Sequence, residues 1–105
     1  MSRKLEIELE KKICEKVVDC ILDAGYFVTV NNGEEDVLEY SLDKYEIMNA
    51  VGSTDQDNFI LSKEGEVFKY IGFNWGEVEE VIFDYSVELE PIIQPALDFT
   101  NSYHH

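Results

Sequence analysis

At 105 residues the chain is sized for one acidic domain spanning 1–105, because two halves of that length would each be too small to bury a stable core. Hydrophobic residues make up 45% of the chain and 13 residues are aromatic, which excludes a disordered acidic tail. The net charge of −15 lies well beyond the magnitude of about 2 to 8 that solubility asks of a small domain, and it disfavours direct binding to nucleic acid or to anionic membranes.

Met1 to Lys4 lack the apolar stretch of a secretory signal, and no run approaches the ~18 apolar residues of a membrane span, so a cytoplasmic protein is expected. From Lys4 to Ala24 the apolar positions Leu9, Ile13, Cys14, Val17, Val18, Cys20, Ile21 and Leu22 wrap well over half of a helical wheel, which predicts a helix buried on most sides. Its remaining arc carries Glu8, Lys12, Glu15, Lys16, Asp19 and Asp23 as a solvated face. Cys14 and Cys20 point about 120° apart on such a helix and cannot pair with each other, so both are expected to be reduced. Gly25 supplies the positive φ that ends the helix.

Tyr26 to Asn31 is rich in β-branched and aromatic residues, and Asn32-Gly33 is the strongest two-residue hairpin signal in the chain, implying a return strand near Val37 to Tyr40. Ser41 is placed to cap a short helix from Asp43 to Val51, with Gly52 past its end and a polar turn over 53–58. Phe59 to Ser62 and Glu66 to Phe73 form a second hairpin about Lys63-Glu64-Gly65, and Asn74-Trp75-Gly76 turns into a strand near Val78 to Phe83. After Ser86 the positions Leu89, Ile92, Ile93, Ala96, Leu97 and Thr100 keep helical spacing. Pro91 and Pro95 leave two readings: a helix that starts near Pro91 and kinks at Pro95, or one that becomes regular only after Pro95. The order α-β-β-α-β-β-β-α, with turns too short for crossovers, predicts an α+β fold: an antiparallel sheet of about five short strands with helices packed on one face.

The chain offers little for catalysis. Two separated cysteines and two terminal histidines do not make a structural zinc site. Asp55-Gln56-Asp57-Asn58-Phe59 begins like a calcium loop but lacks the glycine such a loop needs at its sixth position. The six glycines are scattered singly, so no phosphate loop is formed. Nearby carboxylates such as Glu79, Glu80 and Asp84 are expected by chance among 23 acids. No catalytic residue, cofactor site or metal site is assigned, and a non-enzyme is expected.

The distribution of charge is more telling. Residues 1–24 hold five lysines and arginines and six acidic side chains, residues 25–105 hold three and 17, and no lysine or arginine follows Lys69. The stretch after it contains Glu77, Glu79, Glu80, Asp84 and Glu88 beside Trp75, a tryptophan in a turn. Carboxylates can stand in for phosphates, and an exposed indole can anchor an interface. Trp75, Glu77, Glu79, Glu80, Asp84 and Glu88 are therefore the predicted partner-binding residues, and a basic protein, a nucleic-acid-binding enzyme or a toxin, is the predicted partner. A generically acidic cytosolic or salt-adapted protein is the plainer alternative.

The segments Gly72-Phe73-Asn74-Trp75-Gly76, Val81-Ile82-Phe83-Asp84-Tyr85-Ser86, Leu89-Glu90 and Pro95-Ala96 resemble the C-terminal part of small uncharacterised phage and prophage acidic proteins. That resemblance implies a mobile-element origin and brings no catalytic residues with it. It points to an inhibitor that blocks the nucleic-acid site of a host defence protein, of the anti-CRISPR or anti-restriction class, acting as a DNA mimic. The alternative is an immunity protein that neutralises a cationic toxin such as a nuclease.

Overall fold

Along the central strands every second residue is fully buried while the residues between them range from buried to exposed, the pattern of a sheet with one face covered. In the computed structural model, which describes residues 3–52, 54–75 and 81–102, the covered face carries Val28, Val30, Phe59, Leu61, Ile71 and Phe73, all at 0% exposure. The elements are α1 (Arg3–Asp23), β1 (Phe27–Asn31), β2 (Asp36–Ser41), α2 (Lys44–Ala50), β3 (Gln56–Ser62), β4 (Lys69–Asn74), β5 (Ile82–Tyr85), a short 3-10 turn (Val87–Leu89) and α3 (Glu90–Ser102). The strands form one sheet in the order β2-β1-β3-β4-β5, every neighbouring pair antiparallel. The fold is α+β.

Helix α1 lies over the sheet because Ile13, Cys14, Val17, Val18 and Ile21 fall on one stripe at near-helical spacing and are fully buried. It packs beside α3, which contributes Ile93 and Ala96, and beside α2, which contributes Ile47. Burying an aliphatic side chain of this kind stabilises by about 1.5–3 kcal/mol. Cys14 is buried, Cys20 half-buried, and both are free thiols.

The Asn32-Gly33 turn differs from the two-residue form expected of it. Asn31 pairs with Asp36, so the loop spans four residues. The cause is local: Asn31 Oδ1 accepts the Gly33 amide at 2.8 Å, and Asn32 Oδ1 accepts the Glu34 and Glu35 amides at 3.0 Å each. Side-chain acceptors that satisfy loop amides favour the wider turn. Beyond it β2 shifts register twice against β1, and Tyr40 takes a left-handed φ of 48°, the irregularity with which exposed edge strands resist further pairing.

The N-cap of α2 is Asp43, not Ser41. Asp43 Oδ1 accepts from the Tyr45 and Glu46 amides at 2.8 and 3.2 Å, while Ser41 Oγ accepts the Asp43 amide at 3.0 Å and donates to Glu46. Asp43→Ala should therefore lower the unfolding free energy by about 1 kcal/mol, read as a lower urea midpoint at unchanged slope; an unchanged midpoint would remove the cap from the account. The strand expected from Glu66 begins only at Lys69, because the Glu66 amide turns back to the Lys63 carbonyl at 3.0 Å. The last strand is Ile82–Tyr85 rather than Val78 to Phe83, and Val78 lies outside the described residues. Helix α3 runs through both prolines; Pro95 lacks the N–H that would reach the Pro91 carbonyl, and Pro91 is exposed, so water can serve that carbonyl.

Candidate partner-binding surface

Trp75 stands at the end of β4 two residues beyond Phe73, so the two side chains share the covered face. The indole stacks on Phe73 with centroids 5.4 Å apart and planes 7° from parallel, and Phe73 meets Phe59 edge-on at 4.7 Å. Indole Nε1 donates to Asp57 Oδ2 at 2.7 Å, and the Gly52 amide donates to the same oxygen at 2.7 Å. The Trp75 amide donates to the Asp55 carbonyl at 2.9 Å. Expected as an exposed-turn anchor, Trp75 is half-buried, its ring stacked on Phe73 and hydrogen-bonded to buried Asp57, because its strand parity turns the ring inward.

Asp57 is wholly buried, since Asp57, Phe59 and Leu61 alternate onto the covered face. Burial raises its pKa above the ordinary carboxyl value, an effect partly offset by the bonds from Gly52 and Trp75. Its other oxygen, Oδ1, has no hydrogen-bond partner among the described residues.

Next to this cluster lies an open cleft of about 510 Å³, lined among others by Glu10, Lys11, Met48, Val51, Thr54 and Trp75. Cys14 also lines it, with a thiol pushed far up by burial and by the charges of Asp57 and Glu15, which disfavours the thiolate a nucleophile needs. Among the described residues no three His, Cys, Asp or Glu side chains are grouped to hold a metal ion.

The remaining predicted site residues separate. Asp84 lies on the sheet face away from the helices, opposite Gly72, where it accepts the Tyr70 hydroxyl; that bond, with burial and the carboxylate charge, pushes the tyrosine pKa up. Glu88 is exposed in the 3-10 turn. Glu77, Glu79 and Glu80 lie outside the described residues. The structure thus joins Asp84 to Tyr70 and sets Trp75 on the opposite face.

Sequence reasoning missed the uncovered face of the sheet itself. Strand register places Phe27 beside Ser62 and aligns two rows across the sheet, Thr29, Ile60 and Tyr70 in one and Asn31, Asn58, Gly72 and Asp84 in the other. Phe27 and Tyr70 are 40% and 41% exposed, and Phe68, two residues before Tyr70, is 64% exposed. Among the described residues no lysine or arginine occupies an outward strand position. Lys69, the single basic residue in the five strands, is paired with Leu61 on the covered side and reaches Glu66 at 3.0 Å and the Tyr26 ring at 5.6 Å. Lys63 donates to the Ala24 carbonyl at 2.8 Å, and Lys44 bridges Asp19 at 3.0 Å and Glu15 at 3.5 Å. Lys11, Lys12 and Lys16 lie on α1. The alternating outward positions Phe27, Thr29, Asn31 and Tyr70, Gly72, Asn74 were the signal available in the sequence. Comparison with protein-family models, with curated proteins and with solved structures finds no match to this chain.

Proposed function

We propose that the chain is a non-catalytic inhibitor of phage type that binds the basic, nucleic-acid-binding site of a host defence nuclease and keeps nucleic acid out of it. The observation that carries this reading is the segregation of charge: the described lysines belong to the helices or are drawn to the margin around Tyr26, while residues 25–105, with three basic and 17 acidic side chains, carry −14 of the chain's net charge of −15. An anionic surface without internal cations is drawn to a cationic groove at long range and competes there with phosphates. Exposed acids such as Glu34, Glu35, Glu39 and Glu88 form no ion pair among the described residues, so binding would not first have to break one. The resemblance to phage proteins supplies the biological setting.

Expression in a bacterium carrying a restriction or CRISPR system tests this. The plating efficiency of a susceptible phage should rise by about tenfold or more, and the purified chain should inhibit the corresponding nuclease less as salt rises from about 50 to 300 mM. Unchanged plating together with unchanged nuclease activity across the systems tried would overturn the reading, as would a gel shift of DNA by the chain alone.

A further inference from the structure

We infer that the uncovered sheet face is the docking surface, and that its occupant is an arginine-presenting face of the partner protein. This rests on the reading above and names where, and by what chemistry, the partner is held.

An outer sheet face that merely meets water is ordinarily polar, with lysine common on it. Here the outward positions hold Phe27, Ile60 and Tyr70 toward one end, with exposed Phe68 just before β4. The small residues Thr29, Ser62 and Gly72 lie among them and are buried. Ser62 Oγ has no hydrogen-bond partner among the described residues. Toward the other end the face turns to amides and carboxylates: Asn31, Asn58, Asp84, and Asp36, which accepts from Asn31 Nδ2 at 2.9 Å. Aromatic groups bordered by hydrogen-bonding acceptors have the anatomy of a protein interface, apolar at the centre and polar at the rim.

Charge complementarity selects the occupant. A face with carboxylates and, among the described residues, no cation of its own attracts basic groups, and guanidinium is the basic group that both stacks on Phe or Tyr rings and forks onto a carboxylate. Lysine satisfies the charge but not the stacking. The covered face cannot serve, because α1, α2 and α3 occupy it.

The test titrates isotope-labelled full-length chain with a nona-arginine peptide at about 50 mM salt, following backbone amide shifts. The affected amides should cluster at Thr29, Asn58, Ile60, Tyr70, Gly72 and Asp84. Two charge-matched variants accompany it: Asp36→Lys with Asp84→Lys on this face, and Asp23→Lys with Asp98→Lys on the helices, each checked for an unchanged melting profile. The first pair should weaken binding by about tenfold more than the second. If the peptide binds but the shifts fall on α1 and α3, or both pairs weaken it equally, this face is not the docking surface while attraction to basic partners stands. If the peptide does not bind at low salt, the proposed function fails and this inference with it.

Discussion

Trp75→Ala is expected to lower the free energy of unfolding by about 3 kcal/mol, the range for removing a large aromatic from a packed site. The half-buried indole is stacked on Phe73 at 5.4 Å, and Phe73 in turn meets Phe59 at 4.7 Å, so truncation leaves a void beside two fully buried rings. It also removes one of the two donors to Asp57 Oδ2, leaving a buried carboxyl with a single bond. Trp75→Phe should recover much of the packing but not the hydrogen bond, for a cost of about 1–2 kcal/mol. Urea unfolding followed by circular dichroism measures both. A midpoint unmoved by Trp75→Ala would detach the indole from the core and return it to the role of surface anchor. If the loss is as large as expected, weakened partner binding by this variant reports on folding, and the charge-matched surface variants are the sharper probe.

Much of the architecture was legible in the sequence because it rests on period. The stripe Ile13, Val17, Ile21 and the spacing of Leu89, Ile93, Ala96 and Thr100 mark α1 and α3, and the turns around Gly33, Gly52 and Gly65, each at positive φ, mark where the chain reverses. Competition between local hydrogen bonds was not legible. Asn31 and Asn32 widen a turn that Asn-Gly alone would make tight, and Asp43 takes the cap for which Ser41 was equally suited by type. The candidate site suffered from a different error. Asp57 fell within a stretch read as a polar turn, although Asp57, Phe59 and Leu61 already show the alternation that turns its carboxyl inward. Trp75 was judged by its glycine and asparagine neighbours when its parity with Phe73 decided its direction. Asp84 was singled out for its charge, but the face it belongs to emerges only when β1, β3, β4 and β5 are set in register, which brings residues more than 40 positions apart onto one surface.

Asp57→Asn should gain stability relative to the parent as pH rises from about 3 to 7, whatever its absolute stability. Burial holds the folded-state pKa of Asp57 above the ordinary value, near 3.9 for an unperturbed aspartate. A carboxyl shifted in that direction binds its proton more tightly in the folded chain. Its favourable contribution is complete below the unfolded value and is lost as pH rises through the folded value; above that the fold carries a buried anion whose Oδ1 lacks a partner. Asparagine has no such titration. Its side-chain oxygen can still accept from the Gly52 amide and Trp75 Nε1, so the two buried donors keep a partner. Any fixed cost of its extra N–H is the same at every pH and drops out of the comparison. Asp57→Ala provides the contrast, because it orphans both donors: it should cost about 2–3 kcal/mol at the acid end, and the cost should shrink as pH rises by the same amount as the Asn variant gains, since alanine does not titrate either. The measurement is the urea midpoint of parent, Asn and Ala variants at about pH 3.5, 5 and 7. The 22 other acids titrate in all three proteins, and their common effect cancels in the differences. If the gap between parent and Asn variant were flat with pH, the Gly52 and Trp75 hydrogen bonds balance the desolvation of Asp57; if it shifted in favour of the parent as pH rose, Asp57 is held as a stabilised anion and those bonds outweigh its desolvation.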